Sequence, residues 1–337
     1  MLLPVWALLI TLAFSAALIA LAGANVAEAF WAMFQGALGT RFGLLETCVA
    51  SVPLVFCGLA VAFAFRAKFW NIGAEGQFLS GALAATAVAL ALPGLPSPLG
   101  IPLVFAVGFL AGGAVALICA LLKTKLKVDD VVSTLLMNYL ILNAMGALLY
   151  GPLQLKGSSW PVSTNLAPAY TLPVLLPRSR FHLGVILALA AVGIMYVVQN
   201  HSVFGYRSLA VGTNLRAARF GGIKADRVII LTALVSGGLA GLGGVSELLG
   251  IQHHLLMDIS PGYGTTGVVV AMLGQLSPLG VLGASFFFSA ISNGANTMSR
   301  ALHVPVYISQ VIQGLSLIVM LVLLLFKNYR VCLRRDK

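Results

Sequence analysis

Charge is what this 337-residue chain lacks most. Only 9% of its residues are Asp, Glu, Lys or Arg, against roughly a quarter in soluble domains. With 60% hydrophobic residues, that scarcity excludes a water-soluble globular fold. The ten-residue alternating segments of a membrane barrel are also missing. The expected class is therefore all-α and polytopic, because helices satisfy their own backbone in lipid. No G-x-x-x-x-G-K-[ST] stretch occurs, so the chain has no P-loop to cradle ATP. Four cysteines, Cys48, Cys57, Cys119 and Cys332, have no paired spacing and read as small core hydrophobes. No Cys/His cluster marks a metal site, and the adjacent His253 and His254 are expected in a loop. The chain is expected to carry no catalytic group, metal or cofactor of its own.

What is present is a series of apolar windows of about 20 residues. Ten candidate spans result, at 2–22, 45–65, 74–92, 100–122, 131–150, 182–199, 228–249, 262–275, 279–298 and 306–326. The eighth is short and Gly-rich. The first opens "MLLPVWALLI", without the basic start of a signal peptide, and is expected to be a retained helix. With the N-terminus inside, the inner segments collect Arg66 and Lys68, then Lys123, Lys125 and Lys127. They also collect Arg207, Arg216, Arg219, Lys224 and Arg227, and finally Lys327, Arg330, Arg334, Arg335 and Lys337. That is 15 of the 20 basic residues, so the positive-inside rule places both termini in the cytoplasm. The net charge of +11 thus reflects membrane orientation, not nucleic-acid binding.

An internal echo runs through the chain. "LVFCGLA" at 54–60 matches "LVSGGLA" at 234–240 in five of seven positions, and "SPLG" at 97–100 recurs at 277–280. Both pairs share an offset of 180. Five-helix halves of about 1–150 and 182–326 would then be inverted repeats within one transmembrane domain spanning 1–337. In such folds the solute path runs near the midplane between repeats. Residues 151–181, rich in Pro, Ser and Thr, form the longest outer loop. They read as an irregular or partly helical cover, serving either as a connector or as a docking surface.

Polar side chains inside spans mark either interhelical glue or a solute path. Span nine places Ser285, Ser289, Ser292, Asn293 and Asn296 on one stripe. Span ten carries Ser309, Gln313 and Ser316, and span five carries Thr134 and Asn138 four residues apart. Asn138, Asn293, Asn296 and Gln313 are the path candidates here. No mid-span carboxylate has a basic partner of the kind an ion relay needs, so a neutral, hydrogen-bonding solute fits the lining better. Gly237, Gly241 and Gly244 share a face of span seven and are expected to allow close helix packing.

Two polar stretches stand out. In "FRAKFWNIGAEGQF", residues 65–78, Arg66 and Lys68 are expected as inner anchors. Asn71 is expected to cap the following helix, and Glu75 to lie in its first turn, where the dipole favours a carboxylate. Asn71, Glu75 and Gln77 remain candidates for solute contact as well. The second stretch, "FGYRSLAVGTNLRAARFGGIKADRVII" at 204–230, contains a short helix over "TNLRAARFGGI". Thr213 or Asn214 is expected to cap it, and Gly221 and Gly222 to stop it. It serves either as a loop against lipid headgroups or as a protein-docking element.

Both stretches carry a resemblance. Gly212, Asn214, Ala217, Ala218, Arg219, Gly221, Gly222 and Ile223 form "G-x-N-x-x-A-A-R…G-G-I". This resembles the cytoplasmic coupling segment (201–227 here) of bacterial ABC-importer permeases of the ribose, branched-chain amino acid and nucleoside branch. "FRAKFWNIGAEGQF" is similar to the "FRAGLFNIGAEGQ" signature of the nucleoside-type members, with Lys68 and Phe69 replacing Gly-Leu and Trp70 replacing Phe. The resemblance covers about residues 40 to 326. It implies a multi-pass subunit of the bacterial plasma membrane that moves a nucleoside or related neutral solute by alternating access. The ATP would be used by a separate ABC ATPase subunit. It also implies a second, related permease in a heterodimer and an extracytoplasmic substrate-binding protein. Gly212, Asn214, Arg216, Ala217, Ala218, Arg219, Gly221 and Gly222 are the coupling candidates. A ribose-like sugar permease is the nearest alternative, and an ion-coupled secondary transporter a more distant one.

Overall fold

A computed structural model describes residues 23–302 without a break, most of 13–21 and a few positions between 311 and 322. The described residues are helical with isolated β-bridges and no strand. In order the helices are α1 (Val26–Phe34), α2 (Arg41–Arg66), α3 (Ala74–Ala91), α4 (Ser97–Leu126) and α5 (Asp130–Leu149). They continue with α6 (Gly184–His201), α7 (Val203–Thr213), α8 (Leu215–Phe220), α9 (Ala225–Glu247), α10 (Tyr263–Leu273) and α11 (Pro278–Leu302). A π-helical segment, Gln35–Gly39, follows α1, and another, Leu248–Gln252, extends α9.

Six of these helices are long and apolar enough to cross a bilayer: α2, α3, α4, α5, α6 and α9 with its extension. They coincide with the spans expected at 45–65, 74–92, 100–122, 131–150, 182–199 and 228–249. The expected eighth span, 262–275, forms an eleven-residue helix only about 16 Å long at 1.5 Å per residue. It is too short to cross ~30 Å of hydrocarbon unaided. The ninth, α11, has the length at 25 residues, but its polar stripe keeps it outside the apolar set. Most of the expected tenth span, Ser309, Gln313 and Ser316 included, lies outside the described residues, as does most of the first.

The chain divides into two compact units, residues 49–285 and residues 1–48 with 286–337. In the larger unit, α2, α3 and α9 form the interior. The apolar stretch of α2 is 89% buried and that of α9 72%, whereas α5 is only 22% buried. Leu135, Leu136, Tyr139 and Leu140 stand exposed on α5, an apolar face suited to lipid or another membrane subunit.

Glycines set the helix spacing. A Cβ on Gly241 or Gly237 would strike the backbone carbonyls of Gly108 and Gly112 on α4. Gly244 abuts the carbonyl of Phe78, and Gly81 the backbone of Gly241. The face expected from Gly237, Gly241 and Gly244 is thus a backbone-to-backbone seam against α3 and α4. Small residues four apart permit such approach where lipid supplies no hydrophobic drive between helices.

Opposite helix ends gather different loops. At one end, Arg66 Nη1 donates to Gln199 Oε1 at 2.9 Å, and Lys123 Nζ donates to the Lys68 carbonyl at 2.7 Å. These contacts bring the α2–α3 turn, the end of α4 and the end of α6 together. At the other end lies the 151–182 loop. It is an ordered cover with a 3-10 turn at Pro168–Tyr170. Its backbone N–H groups at Ser163, Leu166 and Leu172 donate to the carbonyls of Leu255, His253 and Leu249. Fully buried Tyr170 donates its hydroxyl to the Leu92 carbonyl at 2.6 Å.

In the smaller unit, Asn293 on α11 holds the π-helical segment. Its Nδ2 donates to the carbonyls of Gly36 (3.0 Å) and Gly43 (3.2 Å) and to Thr47 Oγ1 (3.1 Å).

Candidate functional site

The 65–78 stretch begins where α2 stops. Lys68 adopts a left-handed φ of 53°. The Phe69 N–H reaches the Ala64 carbonyl at 3.1 Å and the Lys68 N–H the Phe65 carbonyl at 3.0 Å. This bond pair is a Schellman stop, normally built on glycine. The chain then runs without regular structure into the bundle, turning through bonds from the Asn71 and Ile72 N–H groups to the Phe69 and Trp70 carbonyls. Its peptide groups must find further partners there. One face of α5 supplies them. Asp130 Oδ2 accepts from the Trp70 N–H (2.6 Å), Thr134 Oγ1 from the Ile72 N–H (3.2 Å) and Asn138 Oδ1 from the Gly76 N–H (2.7 Å). Asn138 Nδ2 returns a bond to the Ile72 carbonyl at 3.0 Å. Spacing of four residues puts all three on one stripe, and Lys123 Nζ completes it with a 2.5 Å ion pair to Asp130.

Asn71 does not cap α3, contrary to expectation. The cap position is Gly73, with no side-chain bond, and the first-turn N–H of Gly76 is satisfied from α5 by Asn138. Asn71 turns inward instead. It exchanges two 2.8 Å bonds with the amide of Gln77, donates to Ser236 Oγ at 2.8 Å and accepts from the Gly73 N–H at 3.1 Å. Ser236 in turn donates to the Ala60 carbonyl at 2.7 Å. Asn71, Gln77 and Ser236 have no exposed surface. Both donors of the Asn71 amide are used, and its oxygen accepts twice.

Glu75 is arranged differently. It lies in the first turn of α3 as expected, but its carboxylate leaves its own helix. Oε2 accepts from the Gly264 N–H at 2.6 Å, with further bonds from the Ser260 hydroxyl and the Thr265 N–H. These groups lie at the start of α10, so one carboxylate neutralises that helix's free N–H ends and positive dipole end. The two helix starts abut so closely that a Cβ on Gly264 would strike the Glu75 backbone nitrogen. Tyr263 and Phe78 rings lie beside them with centroids 5.8 Å apart. Glu75 and Ser260 are half-buried and Thr265 is exposed. This junction is the polar face that the interior network leaves accessible. Because Cys57 packs on Gly267, α10 meets α2 well inside that 26-residue helix.

The second polar stretch is built for display. Asn214 Oδ1 accepts from the N–H groups of Arg216 and Ala217, both at 3.1 Å. Gly222, at φ 81°, ends α8 through bonds from its own N–H to the Arg219 carbonyl and from Ile223 to the Ala218 carbonyl. This is the expected cap and stop. Gly212 is buried with the Arg66 carbonyl against it, and Ala218 is buried. Arg216, Ala217, Arg219, Gly221 and Gly222 are exposed. Phe220, at the tip, is 98% exposed. Arg219 pairs with Asp226 at 2.9 Å in the open.

The remaining candidates separate. Asn138 and Asn293 are engaged with backbone groups, Asn296 is exposed, and Gln313 lies outside the described residues. Sequence reasoning passed over Asp130, Ser236, Ser260 and Phe220. The Asp130–Thr134–Asn138 stripe was available from spacing alone. The others depend on long-range pairing.

A glycine-seamed bundle with six helices long and apolar enough to cross a membrane finds its family by comparison with known proteins. Residues 43–321 match the family described as branched-chain amino acid transport system / permease component. The chain belongs to this permease family. The permease is 34% identical to the protein called glucose ABC transporter permease TsgB13 of Haloferax volcanii, over 99% of this chain and 90% of the relative. It is 34% identical to the guanosine ABC transporter permease NupP of Bacillus subtilis, over 90% of this chain and 88% of the relative. It is 32% identical to the nucleoside ABC transporter permease NupB of Lactococcus lactis, over 80% and 76%. No solved structure matches it. The permease is a multi-pass membrane subunit of an ABC transporter, and ATP hydrolysis belongs to a separate subunit.

Proposed function

We propose that the permease forms half of the translocation path of an importer for a nucleoside or related neutral solute. It would pair with a second permease, an ABC ATPase and an extracytoplasmic binding protein. The observation that carries this is the displayed helix α8. An apolar Phe220 and two arginines are held out on a capped, glycine-stopped turn tied to the end of α2 through Gly212. ATPase closure would move that helix, and with it α2 and α9, as a rigid body. The similarity to permeases named for guanosine and nucleosides supports the solute class. The similarity to a permease named for glucose favours a sugar as the second reading. That Bacillus subtilis has two such relatives, NupP and NupQ, supports a heterodimer.

Ten spans with both termini cytoplasmic, arranged as inverted halves, complete the proposal. Both "SPLG" copies lie at helix starts (α4 and α11), and both "LV-x-x-GLA" copies lie inside long helices (α2 and α9). The helices between those motifs, α3 and α10, meet at their N-termini, as elements related by an axis in the membrane plane would. Of the candidate residues, Glu75 at this junction is proposed to face the path. Asn71, Gln77 and Asn138 support it from behind, and Asn293 acts as interhelical glue.

Reconstitution tests the proposal. The chain with its ATPase, second permease and binding protein should accumulate solute in vesicles only with ATP. Uphill uptake by the chain alone under a sodium or proton gradient would sink it. A scan of nucleosides, nucleobases and pentoses against the binding protein identifies the solute.

A further inference from the structure

Beside the displayed helix lies a cavity of about 550 Å³ between α7 and the start of α9. Its lining combines two chemistries. Arg207, Lys224 and Arg227 are exposed cations, and Phe204, Val228 and Leu231 are apolar. The Gly221–Gly222 turn closes the rim. The neighbouring acid, Asp226, faces an adjoining cavity and is taken up by Arg219 at 2.9 Å. Among the described residues no carboxylate pairs with the three cations of the first cavity. Three exposed cations beside apolar side chains make a lining complementary to an anionic amphiphile, and Leu231 is 50% exposed on a helix long and apolar enough to cross a membrane.

We propose that this cavity binds an anionic phospholipid, with the phosphate among Arg207, Lys224 and Arg227 and an acyl chain along Phe204, Val228 and Leu231. The chemistry is that of a basic cluster at a membrane border attracting an anionic headgroup. Each guanidinium offers a forked donor to phosphate oxygens, and the apolar side chains select a lipid over a free anion. The site lies on α7 and α9, immediately beside α8. Bound lipid would therefore brace the displayed helix against the bundle and set how well ATPase closure reaches it. The proposal rests on the reading of α8 as the ATPase contact, and its test separates the two.

The assembled transporter, with binding protein and solute, is placed in vesicles of phosphatidylcholine alone or with increasing phosphatidylglycerol. ATPase rate is measured, together with lipid retained on the purified complex by native mass spectrometry. Phosphatidylglycerol should stay bound through purification and raise the rate, while inorganic phosphate and glycerol phosphate should not substitute. The triple variant Arg207→Gln, Lys224→Gln, Arg227→Gln should lose retention by about a hundredfold, with the ATPase still co-eluting. Should that variant fail to fold, Leu231→Asp alone should weaken retention with every cation in place. Equal retention and rate in the two lipids for the unaltered chain would overturn the proposal. So would rescue by free phosphate, or loss of ATPase co-elution with lipid still bound, since the cavity would then belong to the ATPase contact.

Discussion

Asn71 and Phe220 stand at the centres of the two polar stretches, and their surroundings are opposites. Asn71 has no exposed surface and exchanges bonds with Gln77, Ser236 and Gly73. Phe220 is 98% exposed at the end of a six-residue helix. In the first stretch, polarity solves an internal problem. A non-helical segment runs inside an apolar bundle, and Asp130, Thr134, Asn138 and Asn71 bond to its backbone. In the second, the cap at Asn214 and the stop at Gly222 bound a short helix whose outer face is left exposed. Polarity in a membrane protein therefore marks a function only where its bonding capacity is left over. Of the three solute-contact candidates in 65–78, Glu75 alone is not fully buried.

Substitutions should separate the two regions most sharply at Asn71. Asn71→Leu strands the Gln77 amide and the Gly73 N–H, each unsatisfied group costing about 1–3 kcal/mol, while Ser236 keeps its bond to the Ala60 carbonyl. A large fall in melting temperature in detergent is expected, along with reduced yield of folded protein. A melting point unchanged from that of the unaltered chain would show the network to be incidental. Phe220→Ala should do the reverse. Its stability should stay within about 0.5 kcal/mol, while solute-stimulated ATPase activity in the assembled complex falls at least several-fold.

The loop end of the bundle supplies a pH test. His182, in the loop ahead of α6, accepts from the Gly184 N–H through Nδ1 at 3.0 Å. Burial, with the His253 charge adding to it, pushes its pKa from 6.5 down to about 4. Because the folded value is depressed, the unfolded chain binds more protons between the two values. The His182 contribution to stability should therefore be full above pH 6.5 and be lost as pH falls toward 4, and it is read as the difference in slope between the unaltered chain and His182→Asn. Thermal melts across that range read it out. The smallest effect is expected at Lys68. Lys68→Gly relieves the left-handed backbone at the α2 stop and should stabilise the chain by about 0.5 kcal/mol, after the entropy of the added glycine is subtracted.

Much of this was legible in the sequence. Six spans coincide with apolar windows, the glycine seam follows from spacing by four, and the cap and stop of α8 follow from Asn214 and Gly222. What was not legible is long-range. Asn71 has the sequence position of a cap, but Gly73 takes that place because Asn138, on another helix, satisfies the first turn. Nothing near Glu75 in sequence shows that its partners lie at Ser260, Gly264 and Thr265. The shortness of α10 was hidden as well, since an apolar window reports composition and not where the helix begins. The coupling roles of Gly212, Arg219 and Gly221 come from motif resemblance alone, because a single chain does not display its partner.

The most direct measurement is site-specific cross-linking at the tip of α8. Phe220→Cys, treated in the assembled transporter with a short cysteine-to-lysine reagent, should give one adduct with the combined mass of permease and ATPase, and its yield should change when ATP binds. No ATPase adduct, or adducts formed only with the extracytoplasmic binding protein, would contradict the account.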